Sequence, residues 1–152
     1  MVKVATIKGK VKAISISENR GTRKYNIRSA RLKADFGIEN DAHVGNWHRQ
    51  ISLLAAESIE KMVKKGADVR AGDFAENITT EGIDLPSLPI KTRLKLGDTA
   101  EIEVTQIGKK CHHECEIFKL IGDCVMPKEG IFAKVLKAGN IKTGDTVEVL
   151  ND

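Results

Sequence analysis

All three cysteines and two of the four histidines of this 152-residue chain lie in one stretch, Cys111-His112-His113-Glu114-Cys115-Glu116-Ile117-Phe118-Lys119-Leu120-Ile121-Gly122-Asp123-Cys124. Soft nucleophiles gathered this tightly suit sulfur, metal or redox chemistry. As a zinc site, Cys111, Cys115 and Cys124 with His112 or His113 could supply four ligands, but the paired second half of a structural zinc pattern is missing. As a redox pair, Cys111 and Cys115 stand one residue too far apart for Cys-x-x-Cys. As a nucleophile, Cys111 follows Gly108-Lys109-Lys110 and precedes two histidines, surroundings that lower a thiol pKa and favour the reactive thiolate. Cys124 precedes the apolar Val125 and Met126 and suits a core position equally well.

The elements that must position this stretch read as mostly strands. Residues 2–17 alternate and then run apolar, as one or two strands joined or bulged at Gly9. After the turn residues 18–22, Tyr25, Ile27, Ala30 and Leu32 suggest a strand carrying basic residues. Residues 36–50 form a polar, glycine-punctuated segment with His43, His48 and the single Trp47. Ile51-Ser52-Leu53-Leu54 reads as a buried strand. Residues 55–65 have helical spacing (Ala55, Ile59, Met62, Val63), early acids, late lysines and Gly66 as a stop. Residues 71–82 are a turn feeding a short strand, and Pro86 and Pro89 flank a loop. Residues 94–106 and 141–150 share a Gly-Asp-Thr turn followed by a strand, while residues 130–139 suit either a short helix or a strand. These elements predict a mainly β, barrel-like single domain over residues 1–152 with a few short helices.

Composition sets the outer bounds. Hydrophobic residues at 41% and charged residues at 30% are those of a globular protein, and 4% aromatics leave the core to aliphatic side chains. No apolar leader segment opens residues 1–5, and no window approaches the roughly 18 apolar residues of a membrane span, so a cytoplasmic protein without a membrane partner is expected. The net charge of +4 has a local source in Arg20, Arg23, Lys24, Arg28, Arg31 and Lys33. Such a run ordinarily makes a solvated face. One Trp and one Tyr give nucleic acid no stacking platform. Among the remaining polar residues, Arg49 suits a phosphate or carboxylate, or a pairing with Asp73 or Glu76 that only holds loops.

The ordered set Phe36-Gly37-Ile38-Glu39-Asn40-Asp41-Ala42-His43-Val44-Gly45, His48-Arg49-Gln50-Ile51-Ser52-Leu53-Leu54, Gly72-Asp73-Phe74-Ala75-Glu76-Asn77-Ile78-Thr79, Leu96-Gly97-Asp98 and Val104-Thr105-Gln106-Ile107-Gly108-Lys109-Lys110-Cys111 resembles the MOSC domain, named for the C-terminal domain of molybdenum cofactor sulfurase. Residues 122–133 are similar to its small stand-alone bacterial members, so the likeness covers nearly the whole chain. The resemblance implies a compact barrel-like fold that handles molybdenum cofactor (molybdopterin) or delivers sulfur to a metal-sulfur centre. It assigns metal binding or persulfide formation to Cys111, with Cys115, Cys124, His112 and His113 beside it. His43, Arg49, Asp73, Glu76 and Asn77 would form the cofactor-binding wall, with the early arginines adding positive potential. The expected partners are a cysteine desulfurase or other sulfur donor, and molybdenum cofactor or a molybdoenzyme as acceptor. A non-catalytic cofactor-binding module and a zinc-stabilised domain are the alternatives. The chain has no identifiable pyridoxal phosphate site. It also departs from many relatives in placing Asn40 before Asp41 and Ala75 before Glu76, where glycine is usual, so those loops are expected to differ slightly in backbone.

Overall fold

Apolar residues at every second position give strands such as Ala100–Ile107 one buried face. The computed structural model describes residues 7–19, 24–42, 44, 45, 47–108 and 129–150. The strands are β1 (Lys8–Ile16), β2 (Tyr25–Ile27), β3 (Ser29–Lys33), β4 (Gly37–Ile38), β5 (Ile51–Ala55), β6 (Ile78–Glu81), β7 (Arg93–Leu96), β8 (Ala100–Ile107), β9 (Ile131–Lys137), β10 (Gly139–Lys142) and β11 (Thr146–Leu150). The helix α1 (Ala56–Lys64) follows β5, and a 3-10 turn occupies Leu85–Ser87.

Seven strands close on themselves in the order β1-β11-β7-β8-β9-β5-β6 and back to β1, with β2 hanging on β1. Closure leaves the ring without free edges. All ring pairings are antiparallel except β5 with β6, whose parallel arrangement requires a crossover, and α1 supplies it. A separate three-stranded sheet, β10-β3-β4, carries Leu32, Ile38 and Ile141 into the main core. That core is the barrel interior: Ile14, Leu53, Ile78, Leu94, Leu96, Ile102 and Ala133 are all fully buried. A second cluster of Leu54, Ile59, Met62, Phe74 and Phe132 packs α1 onto the outside of the ring. Each such aliphatic side chain contributes roughly 1.5–3 kcal/mol on full burial.

Elsewhere the outer wall is a ladder of alternating charge. Lys8 stands opposite Glu148, Glu148 opposite Lys95, Lys95 opposite Glu101, and Glu101 opposite Lys137. Lys137 and Glu101 approach to 3.0 Å. Opposite charges across strands neutralise this face.

Several sequence expectations are refined. Residues 131–137 are strand, because β9 is a central strand of the ring. In β1 the irregularity lies between Val11 and Ala13, not at Gly9. Gly9 meets a different need, since a Cβ there would run into the carbonyl oxygen of Glu81 and the side chain of Ile83. The basic run is not wholly a solvated face either: Lys24 is buried, its Nζ 2.6 Å from Asp41 Oδ1 and 3.1 Å from Ser17 Oγ. A lysine leaves water only against such a partner, and breaking a buried pair of this kind costs about 3–5 kcal/mol. Asp41 also accepts the Ser17 N–H, so the pair ties the start of β2 and the segment after β4 to the end of β1.

Candidate functional site

The segment entering β5, the loop before β6, and the facing ends of β8 and β9 meet on the outer face of the barrel. Arg49 lies at this junction. Its guanidinium carbon is 4.7 Å from the Trp47 ring centroid and 5.5 Å from that of Phe132, both within cation–π range. Its Nε is buried and has no hydrogen-bond partner among the described residues. Among the described residues Arg49 forms neither a hydrogen bond nor an ion pair, so it pairs with neither Asp73 nor Glu76. An unmet buried donor costs roughly 1–3 kcal/mol.

Glu76 and Asn77 face the scaffold. Glu76 accepts from the Phe74 N–H at 3.2 Å and from the Thr79 hydroxyl at 2.8 Å, and it is fully buried. Burial pushes its pKa up, while the Gly72, Thr79, Glu76 and Phe74 donors pull it back. Asn77 Oδ1 accepts from the Ser52 N–H at 3.0 Å and the Ser52 hydroxyl at 3.2 Å, and its Nδ2 donates to Ser15 O at 3.1 Å. One amide thus holds β1 and β5 to the start of β6. Asp73 Oδ2 accepts the Arg70 N–H at 3.1 Å and closes the preceding turn. It lines a polar cavity of about 720 Å³ with Lys24, Tyr25, Asn26, Asp68, Arg70 and Ala71.

The loop from Gly72 to Asn77 reaches this position through Ala75 at φ 62°, and Asn40 has φ 74°. Both non-glycine residues therefore adopt the left-handed region, readily for asparagine and at a cost for alanine.

His43, Cys111, His112, His113, Cys115 and Cys124 lie outside the described residues. The flanks of the cysteine stretch are described. Gly108 N–H donates to Gly130 O at 2.6 Å, so the chain leaves β8 and returns to β9 at one point. Glu129 accepts from the Ser58 hydroxyl at 2.7 Å and Lys61 Nζ at 3.0 Å, which anchors the returning end to α1. No group of three or more His, Cys, Asp or Glu converges as a metal site among the described residues. No helix among them is long and apolar enough to cross a membrane.

One contact has no counterpart in the sequence reading. His48 Nε2 lies 2.9 Å from Gln106 Oε1, and Gln106 Nε2 donates to Gly108 O at 2.8 Å. His48 and Gln106 are 58 positions apart, and only the β8 register brings them together. The Val104-Thr105-Gln106 run before the cysteines was the available signal.

The fold is shared with solved proteins. YuaD from Bacillus subtilis superposes with a TM-score of 0.81 at 20% identity, over 95% of this chain and 97% of that one. YiiM from Geobacillus stearothermophilus gives 0.69 at 17% identity, over 94% and 75%. YiiM from Escherichia coli gives 0.66 at 15%, over 94% and 70%. No curated protein sequence matches the chain. The family model of the MOSC domain matches residues 40–148, which contain Arg49, the loop before β6 and the whole cysteine stretch. The chain belongs to the MOSC domain family, which is associated with molybdenum cofactor proteins.

Proposed function

We propose that this chain is a molybdenum cofactor-associated sulfur carrier in which Cys111 holds sulfane sulfur as a persulfide. The observation that carries the reading is Arg49, a cation between two aromatic rings that has no ion-pair partner among the described residues. It lies beside the end of β8, which Gly108 and Cys111 follow in sequence. Its orphaned Nε fits an anionic group such as the phosphate of molybdopterin, because a guanidinium fork binds phosphate oxygens directionally. Asp73, Glu76 and Asn77 would support that wall by fixing its backbone, with His43 six residues before Arg49 in the sequence. When bound, the cofactor would supply the metal-sulfur centre that receives sulfur.

Cys111 stands three residues after Gly108, with Lys109 and Lys110 between them. Neighbouring cations favour the thiolate, and His112 or His113 adds to that effect. The thiolate attacks the outer sulfur of a donor protein's cysteine persulfide. The donor S–S bond breaks, its thiolate leaves with the electron pair, and a new S–S bond forms on Cys111. Discharge to a thiol is the reverse exchange, in which Cys111 leaves as thiolate without net oxidation. Delivery to a metal-sulfur centre instead requires a second thiolate to attack the inner sulfur, so that sulfide leaves with the electron pair and the two cysteines are oxidised to a disulfide. Cys115 and Cys124 are candidates for resolving the persulfide.

A non-catalytic cofactor-binding module is favoured by the same arginine, since an anion seat requires no turnover. Two variants separate the readings. Cys111→Ser is expected to abolish sulfur transfer from a cysteine desulfurase while leaving molybdopterin binding intact. Arg49→Met is expected to weaken that binding about tenfold or more, as loss of a charged hydrogen bond implies. Full sulfur transfer by Cys111→Ser would overturn the carrier assignment, and unchanged binding by Arg49→Met would overturn the anion seat.

A further inference from the structure

We propose that His48 and Gln106 are positioning residues that fix where the cysteine-bearing stretch leaves the barrel relative to Arg49. This rests on the carrier reading for its purpose, but the pair itself is defined by geometry among described residues.

The β8–β9 register shifts between Val104 and Gln106, so Thr105 is left over from the ladder. A bulge of this kind re-aims side chains. The Thr105 hydroxyl contacts the His48 carbonyl oxygen and lies 3.2 Å from Phe132 O. Gln106, opposite Phe132 in the register, then reaches both ways: its Oε1 to the His48 ring at 2.9 Å and its Nε2 to Gly108 O at 2.8 Å. Phe132 is also one of the two rings against Arg49. Gly108 turns the chain at φ 70°, a conformation suited to glycine, and its N–H is held by Gly130 O. Both polar groups of Gly108 are therefore fixed, one through Gln106 to the residue next to Arg49.

The hydrogen-bond inventory makes this specific. The Gln106 oxygen only accepts and its nitrogen only donates, so donation to Gly108 O leaves the oxygen for His48, which must carry its proton on Nε2. A nonspecific packing contact would impose no tautomer.

The test combines ring-nitrogen NMR of His48 with the rate at which Cys111 acquires a persulfide from a cysteine desulfurase and cysteine. The proteins compared are wild type, Gln106→Leu, Gln106→Glu and His48→Phe, each checked by thermal melting. Wild type is expected to show the Nε2–H form, with the signature lost in Gln106→Leu. Loading of Cys111 is expected to slow about tenfold in Gln106→Leu and in Gln106→Glu, which keeps an acceptor for His48 but cannot donate to Gly108. Combining His48→Phe with Gln106→Leu should slow it no further. A His48 signature that is unchanged in Gln106→Leu, or wild-type loading by both Gln106 variants, would overturn the proposal. If wild-type Cys111 takes up no sulfur, the carrier reading fails separately. Alkylation of Cys111 by iodoacetamide then decides the positioning: a severalfold change in Gln106→Leu supports it and an unchanged rate refutes it.

Discussion

Glu76 is a fully buried carboxylate, and its chemistry is scaffold chemistry. Burial raises its pKa above the ordinary value of 4.5. The folded state therefore binds this proton more tightly than the unfolded chain does. Its contribution to stability is fully present below the unfolded pKa and is lost as pH rises through the folded pKa. Stability of the wild type is expected to fall relative to Glu76→Gln as pH rises above about 4.5, which thermal melts of both proteins from pH 4 to 8 would check; parallel curves would contradict it. At this scale the sequence names segments, whereas the contacts each side chain makes depend on the fold. Arg49 stood out because a motif surrounded it, but its lack of an acidic partner depends on where Glu76 and Asp73 turn. The resemblance assigned Glu76 to the cofactor-binding wall, whereas its carboxylate is buried against the Phe74 N–H and the Thr79 hydroxyl. The His48–Gln106 bond joins the segment before β5 to the end of β8, 58 positions apart, and nothing in the Val104-Thr105-Gln106 run names His48 as the partner.

At the scale of elements, local chemistry governed what could be read. The helix α1 was legible from its apolar spacing and Gly66 stop, and it runs over Ala56–Lys64. Strand β9 was ambiguous because Ile131, Phe132 and Ala133 are all buried, one face in the barrel and the other against α1, so the period-2 signal disappears. The loop feeding β6 depends on one strained residue. Ala75 at φ 62° forfeits roughly 1–2 kcal/mol relative to glycine, offset in part by about 0.4–1 kcal/mol of unfolded-chain entropy that glycine would add. Ala75→Gly is therefore expected to raise stability by about 0.5–1 kcal/mol, read as a melting temperature higher by ~2 °C; a lower value would show that the loop is not strained there.

For the molecule as a whole, closure of the barrel is the organising event, and it was the part least visible in the sequence. Many short strands implied a barrel, but the β1–β11 seam joins the two ends of the described chain. Gly9 sits in that seam, against Glu81 of β6. Gly9→Ala is expected to cost about 2 kcal/mol by overpacking, measurable by chemical denaturation, whereas a neutral effect would mean the seam can yield. The charge ladder on the outer wall leaves little uncompensated basic surface there, which directs attention back to Arg49 and the strand ends beside it. The most direct measurement is intact mass with peptide mapping of protein purified without reductant, before and after incubation with a cysteine desulfurase and cysteine. A reductant-removable sulfur adduct on Cys111 is the predicted result. No adduct on Cys111, Cys115 or Cys124, with all three thiols open to alkylation, would contradict the carrier mechanism.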